Sequence, residues 1–337
     1  MKFYFSGGKH QDSILTTNRV RILISYVERA KLRLVRITTL GAKMKHKVDL
    51  FLDSGAFSAY SMGVSIDLKE YIKFIKTYNE YIGVYANLDA IGDPELTLKN
   101  QKTMEKAGLK PLPCFHYGED ESYLKYYIKH YEYLALGGMV PIDNRMLSLW
   151  LDRMFSKYLC NSSGRAIRKV HGFGLTSIPM LWRYPWASCD STSWVMSSRL
   201  GSIYVPKKKG SVYDYKEMPY KVLISNQSPK TKEAGSHFET FRDAEKKVIL
   251  DYLNSKGFRV GSSTFKNVSS DYVPKDDERF CGGTAKEPIR KIEKVIEKGL
   301  SNEYRDRDKI NIIYFKDLEV AISKQPISFK VGMMSLI

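Results

Sequence analysis

The chain has 337 residues, 43% hydrophobic and 27% charged, with a net charge of +17. This is ample for a barrel-sized domain plus an appendage and is the composition of a globular protein. No apolar run approaches the roughly 20 residues that a membrane span needs. The four cysteines, Cys114, Cys160, Cys189 and Cys281, are far apart with no CxxC or CxC pairing, which argues against a disulfide framework, a zinc ribbon and an iron–sulfur cluster.

Met1 to Gly8 turns polar too soon for a secretion signal, so a cytoplasmic location is expected. The basic excess is spread along the chain and points to a polyanionic partner, with nucleic acid first. A lysine-rich surface that serves only solubility would look similar.

Taken in order, Lys2 to Phe5 reads as a first strand stopped by Gly7-Gly8. Asn18 to Val27 has helical spacing, with Val20, Ile22, Leu23 and Val27 on one side. Val48 to Leu52 is a second strand, and Asp67 caps a helix that runs through Tyr78. Tyr81 to Leu88 is a third strand, followed by a helix opened by Pro94 and closed by Gly108. Leu112 to Phe115, Tyr133 to Leu136, Val170 to Gly174 and Ala187 to Asp190 read as further strands. Helices at Glu121 to Tyr131, Arg145 to Leu159 and Ile178 to Trp182 separate them.

This strand–helix rhythm implies parallel strands with right-handed crossovers. The expected fold is α/β, a TIM (β/α)8 barrel, with a doubly wound open sheet as the alternative.

The rhythm breaks after Asp190. Gly201 to Val205, Lys207-Lys208-Lys209-Gly210 and Tyr220 to Ile224 read as a basic β-hairpin or small sheet, and Asn226 to Gly235 as a polar loop. A helix over Phe238 to Asn254 is taken as the barrel's last. The expected organisation is a barrel over 1–257, with a basic β insertion at 200–236, and a small C-terminal α/β appendage over 258–337. In the appendage, Pro288 to Leu300 reads as a helix, Ile310 to Phe315 as a strand, and the stretch after Lys316 as a short helix.

Polar residues stand at the predicted strand ends: Asp53-Ser54-Gly55, Asp89, His116, Gly137-Gly138 and Asp190. Singly, each has a plain structural reading as a turn, a helix cap or a packed histidine. Together they fall at the C-terminal rim, where such barrels keep their active sites. Two carboxylates in one pocket suit a glycosidic carbon: one attacks, and the other carries the proton of the leaving and incoming groups. Backbone groups of Gly137 and Gly138, with a carboxylate such as Asp89, suit a planar, guanine-like base. His116, Ser54 and Gly55 complete the base-facing set.

The order Asp53-Ser54-Gly55-Ala56-Phe57, Asp89, Leu136-Gly137-Gly138-Met139-Val140, Gly172-Phe173-Gly174, Pro179 and Asp190 resembles the tRNA-guanine transglycosylases over about Met1 to Arg199. The resemblance implies Asp190 as nucleophile and Asp53 as general acid/base. It implies Asp89 as the base-recognising carboxylate and Gly137 and Gly138 as backbone contacts to the base. His116 falls where the family carries a glutamine. The family's CxCxxC zinc site is missing and Gly-Ala-Phe-Ser replaces Gly-Gly-Phe-Gln, which is closer to the zinc-less DNA-guanine transglycosylase branch of phages and bacteria.

That branch implies exchange of guanine in DNA for a 7-deazaguanine such as 7-cyano-7-deazaguanine, protecting genomes from restriction. No cofactor or metal is expected. Lys207, Lys208, Lys209, Arg183 and Arg199 are expected to grip phosphates. The alternatives are a tRNA-guanine transglycosylase and a non-catalytic barrel that binds nucleic acid.

Overall fold

The computed structural model of the chain describes residues 1–7, 20–27, 34–36, 38–39, 48–140, 142–227, 236–284, 287–325 and 327–330. Two units are distinguished: one takes Met1–Thr192 and the segment from Leu318 on, the other Ser193–Asp317. The boundary expected at 257/258 therefore falls inside the second unit.

Among the described residues the first unit carries eight strands: β1 (Lys2–Ser6), β2 (Val20–Ser25), β3 (Val48–Asp53), β4 (Val84–Tyr85), β5 (Cys114–His116), β6 (Tyr133–Gly137), β7 (Lys169–Gly172) and β8 (Ser188–Ser191). They form one sheet in the order β4-β3-β2-β1-β8-β7-β6-β5, and its ladders are parallel. The sheet is curled into a TIM-like half-barrel surrounded by helices. Its end strands share no ladder. They meet at one bridge, Ala86 opposite Leu112, where Leu112 N–H reaches the Tyr85 carbonyl and Asn87 N–H reaches the Leu112 carbonyl, each at 2.9 Å.

Between the strands run α1 (Ala56–Ser61), α2 (Leu68–Tyr78), α3 (Pro94–Lys106), α4 (Glu121–His130), α5 (Asn144–Met154) and α6 (Ile178–Arg183). After α5, one π-helical turn, Phe155–Leu159, carries on to the end of the expected helix. Four of these helices are capped by an aspartate that accepts a backbone N–H of the first turn: Asp67, Asp93, Asp120 and Asp143. The inside of the curl is filled by Tyr4, Phe51 and His171, whose rings pack with the Phe51 centroid 5.4 Å from Tyr4 and 4.7 Å from His171. Near the end of the last helix, Glu319 Oε2 accepts the Phe3 N–H at 3.2 Å while Oε1 pairs with the Arg21 guanidinium.

The second unit contains α7 (Ser193–Arg199), β9 (Ser202–Val205), β10 (Lys207–Lys209), β11 (Val212–Asp214), β12 (Tyr220–Leu223) and α8 (Asp243–Ser255). Then come β13 (Ser262–Ser269), β14 (Glu278–Gly282), β15 (Ile289–Glu297) and α9 (Tyr304–Ser323), the last crossing the division between the units. The expected basic β structure is present as the antiparallel pairs β9–β12 and β10–β11. Most of the expected polar loop, residues 228–235, lies outside the described residues.

Four expectations are corrected. The stretch from Val20 to Ser25 is strand β2, not helix: its β-branched Val20, Ile22 and Ile24 are buried in the sheet, and a short apolar run carries no decisive period. Pro288 to Leu300 is not a helix but holds β15, the centre of a sheet ordered β13-β15-β14, where pairing on both edges overrides a helix-like spacing of Ile289, Ile292 and Ile296. Ile310 to Phe315 is not a strand but lies within α9, whose Ile310, Asn311, Ile312, Tyr314 and Phe315 are all buried, so that no polar face marks the helical period. The helix after Phe238, taken as the barrel's last, is α8 of the second unit, preceded by a 3-10 turn at Phe238–Thr240. Among the described residues, no helix is long and apolar enough to cross a membrane.

Within the second unit, the buried Asn311 amide donates to the carbonyls of Trp194 (2.9 Å) and Ser202 (3.2 Å) and accepts the Tyr204 N–H (2.9 Å). Asn311→Ala strips partners from buried groups, at about 1–3 kcal/mol each. In urea unfolding its loss is expected to exceed the roughly 1 kcal/mol of Asp67→Ala, which removes only a cap. Equal losses would show that the amide contributes no more than a cap.

Candidate active site

Parallel strands in one curled sheet bring their C-terminal ends to a common rim. There a cavity of about 680 Å³ opens, lined by Asp53, Ser54, Asp89, His116, Gly137, Gly138 and Asp190, among others. Seven of the eight residues expected from the sequence to carry chemistry or face the base thus line one space. The eighth, Gly55, stands behind it as the N-cap position of α1. Its φ of 77° is open to glycine, and a Cβ there would come within 2.4 Å of Ser25 Oγ. No side chain caps α1, so Asp53 does not serve as a helix cap.

Asp53 ends β3. Burial, then the charges of Asp190 and Asp89, push its carboxyl up to about 7, against the opposing hydrogen bonds from the Gly55 and Ser54 peptides. A carboxyl so placed can give and take a proton near neutral pH.

Asp190, on β8, is 6% exposed. Its Oδ1 accepts the Gly174 N–H at 2.9 Å and lies 3.4 Å from His171 Nε2. His171 is wholly buried and passes the contact inward: Nδ1 lies 2.7 Å from Ser188 Oγ, which in turn is 2.5 Å from the Tyr133 hydroxyl. Among the described residues, the nucleophile candidate is therefore held through one oxygen, with Oδ2 left for an incoming group.

Asp89 follows β4 and faces His116, with Oδ2 3.4 Å from Nε2. The other side of the imidazole, Nδ1, is 3.0 Å from Glu119 Oε1, and Glu119 Oε2 accepts the His116 N–H at 2.9 Å. Burial opposes a charge on His116, and the nearby Cys114 thiol, itself pushed up to about 12 by burial, supplies no anion at neutral pH. Hydrogen bonds to Asp89 and Glu119 favour the charged form and shift the imidazole upward. Gly137 faces this group: a Cβ there would lie 2.8 Å from Cys114 Sγ and from His116 Cδ2. Gly138, at φ 68°, turns the chain past the Tyr117 backbone.

Glu119, Phe57 and His171 complete the arrangement beyond the eight expected site residues. Glu119 sits three residues beyond His116, a spacing that could have flagged it. Phe57 lines the cavity while 61% exposed and presents a flat apolar surface at the mouth.

The expected phosphate-gripping residues do not line the cavity. Arg183 is committed elsewhere: Nε and Nη2 form a fork with Asp152 at 2.8 and 2.7 Å, and the guanidinium packs on the Tyr184 and Phe329 rings. In the second unit, Lys208 pairs with Asp251 at 3.0 Å and Lys207 lies over the Tyr220 ring, whereas Lys209 and Arg199 are exposed. No protein-family model matches the chain, and no curated protein matches it significantly.

The Asp53 environment has a pH signature. Below the ordinary value of 3.8 the carboxyl is protonated in folded and unfolded chains alike. As the pH rises from there to about 7 the unfolded chain ionises first, so stability falls, and above that the loss is complete. Asp53→Asn keeps an acceptor for the Ser54 and Gly55 peptides but cannot ionise. It is expected to melt higher than wild type at about pH 8 and close to it at about pH 4. An identical offset at both would show that the carboxyl is not held protonated.

Proposed function

We propose that this chain is a DNA-guanine transglycosylase, exchanging guanine in DNA for a 7-deazaguanine base on a TIM (β/α)8 barrel. The observation that carries the reading is the meeting of Asp53 and Asp190, from β3 and β8, in one cavity where Asp53 is tuned to neutral pH. The size of the cavity and its Asp89, Gly137 and Gly138 walls suit a planar base with N–H donors and a carbonyl. The net charge of +17 suits a nucleic-acid substrate, and the lack of the tRNA family's CxCxxC motif favours DNA over tRNA.

In this reading the target guanine is flipped from the stack into the cavity. Asp190 Oδ2 attacks the anomeric carbon, the carbon–nitrogen bond breaks, and the electron pair leaves on the base nitrogen. Asp53 supplies the proton that makes guanine a neutral leaving group. Guanine departs and a 7-deazaguanine takes its place. Asp53, now ionised, removes the ring N–H proton, and the freed nitrogen attacks the sugar and displaces Asp190. Protons and charges return to their starting positions, so the cycle needs no nucleotide triphosphate or redox partner. The product, formed in the cytoplasm, is a modified DNA that restriction enzymes read poorly.

The test supplies a labelled 7-deazaguanine with DNA or with tRNA. Incorporation into DNA is expected, with a covalent protein–DNA adduct that survives denaturation and is lost in Asp190→Asn. Asp53→Asn should slow exchange by about 10²–10⁴-fold. Incorporation into tRNA alone would overturn the choice of DNA. Binding of either polymer without exchange would favour an inert nucleic-acid-binding barrel.

A further inference from the structure

We propose that Asp89, Cys114 and His116 form a binding site for a divalent transition-metal ion of the zinc class. Cys114 and His116 stand two apart on β5 and so project to the same face of the sheet. Asp89 joins them from the end of β4. One ligand atom from each (a carboxylate oxygen, Sγ and an imidazole nitrogen) lies within 4.8 Å of the other two. Drawing these atoms onto an ion at the usual bond lengths of roughly 2.0–2.3 Å takes only small side-chain adjustments.

Three further observations point to an ion. Glu119 grips His116 twice, at Nδ1 and at the backbone N–H, which fixes the ring with Nε2 toward Asp89. This is the carboxylate–histidine arrangement that orients imidazole ligands in metal sites. Asp89 Oδ1 is buried and has no hydrogen-bond partner, on a side chain only 10% exposed. A cation would satisfy an oxygen that is otherwise costly to bury. Gly137 keeps the space beside Cys114 Sγ and His116 Nε2 clear, because a Cβ there would reach them at 2.8 and 3.1 Å.

One sulfur, one nitrogen and one oxygen suit zinc or cobalt better than magnesium or calcium. Three protein ligands leave a fourth position, and the cavity wall formed by Asp89, His116 and Gly137 gives it an opening. On binding, the thiol proton and any proton on Nε2 pass to solvent. This inference does not rest on base exchange. An ion held here would occupy the Asp89 oxygens that the exchange reading gives to the base, so a loaded protein would bind the base more weakly.

The test uses the whole chain, stripped with a chelator and titrated with Co²⁺ alone. Saturation at one ion per chain is expected, with a near-ultraviolet thiolate-to-cobalt band that Zn²⁺ abolishes by displacement. Cys114→Ser should lose that band, and Glu119→Gln should weaken binding by about 10–100-fold. If Cys114→Ser fails to fold, Asp89→Asn provides the same comparison through weakened affinity. Absence of a thiolate band in the wild type, or an undiminished band in Cys114→Ser, would overturn the site. Because no readout involves DNA or a base, failure here leaves base exchange standing, and failure of exchange leaves the metal site standing.

Discussion

Several carboxylates share one sheltered cavity, and their mutual repulsion is the constraint on which the site depends. Asp53, Asp89, Asp190 and Glu119 all line it. Four negative charges in so small a space would be unstable unless each met a partner or kept a proton. Asp190 receives the Gly174 N–H, and Asp89 and Glu119 share His116 between them. Among the described residues, Asp53 is met by the peptides of Ser54 and Gly55, too little to offset its burial and its neighbours. The remaining tension is relieved by a proton, and that proton is what a base-exchange cycle would use.

The glycines at the rim follow from the same crowding. Gly55 and Gly138 turn in the left-handed region, which lets the chain reverse tightly behind each strand end. Gly137 has an ordinary φ but no room for a side chain against Cys114 and His116. A mutation at any of the three would act on the acids through geometry rather than through charge.

Much of the first unit was legible because its signals are local. Aspartate before a helix, Pro94 in the first turn of α3 and Gly108 after it announce their roles without reference to distant residues. The candidate acids differ from the capping ones in their place in the fold: Asp67, Asp93, Asp120 and Asp143 precede helices and cap them, whereas Asp53 and Asp190 lie at the ends of strands. What escaped reading depends on partners far away in sequence. The strand β15 is made by its two neighbours, and α9 is hidden by its burial on several sides. Arg183 looked like a free cation until Asp152 met it from another helix. The run from Asp190 through His171 and Ser188 to Tyr133 joins three strands and has no sequence spacing at all.

Glu319 carries a consequence for how the molecule is made. It satisfies the Phe3 N–H from 316 residues away and pairs with Arg21 from 298 residues away. On the ribosome, β1 and β2 emerge well before Glu319, and this shared partner cannot reach them until residues 193–317 have been synthesised. Contacts of such long separation carry a large loop-closure cost and form late. Until then Arg21 has Asp49 of β3 beside it, with Nε 3.6 Å from Oδ2, and the helix that carries Glu319 adds its carboxylate as a late latch across β1 and β2.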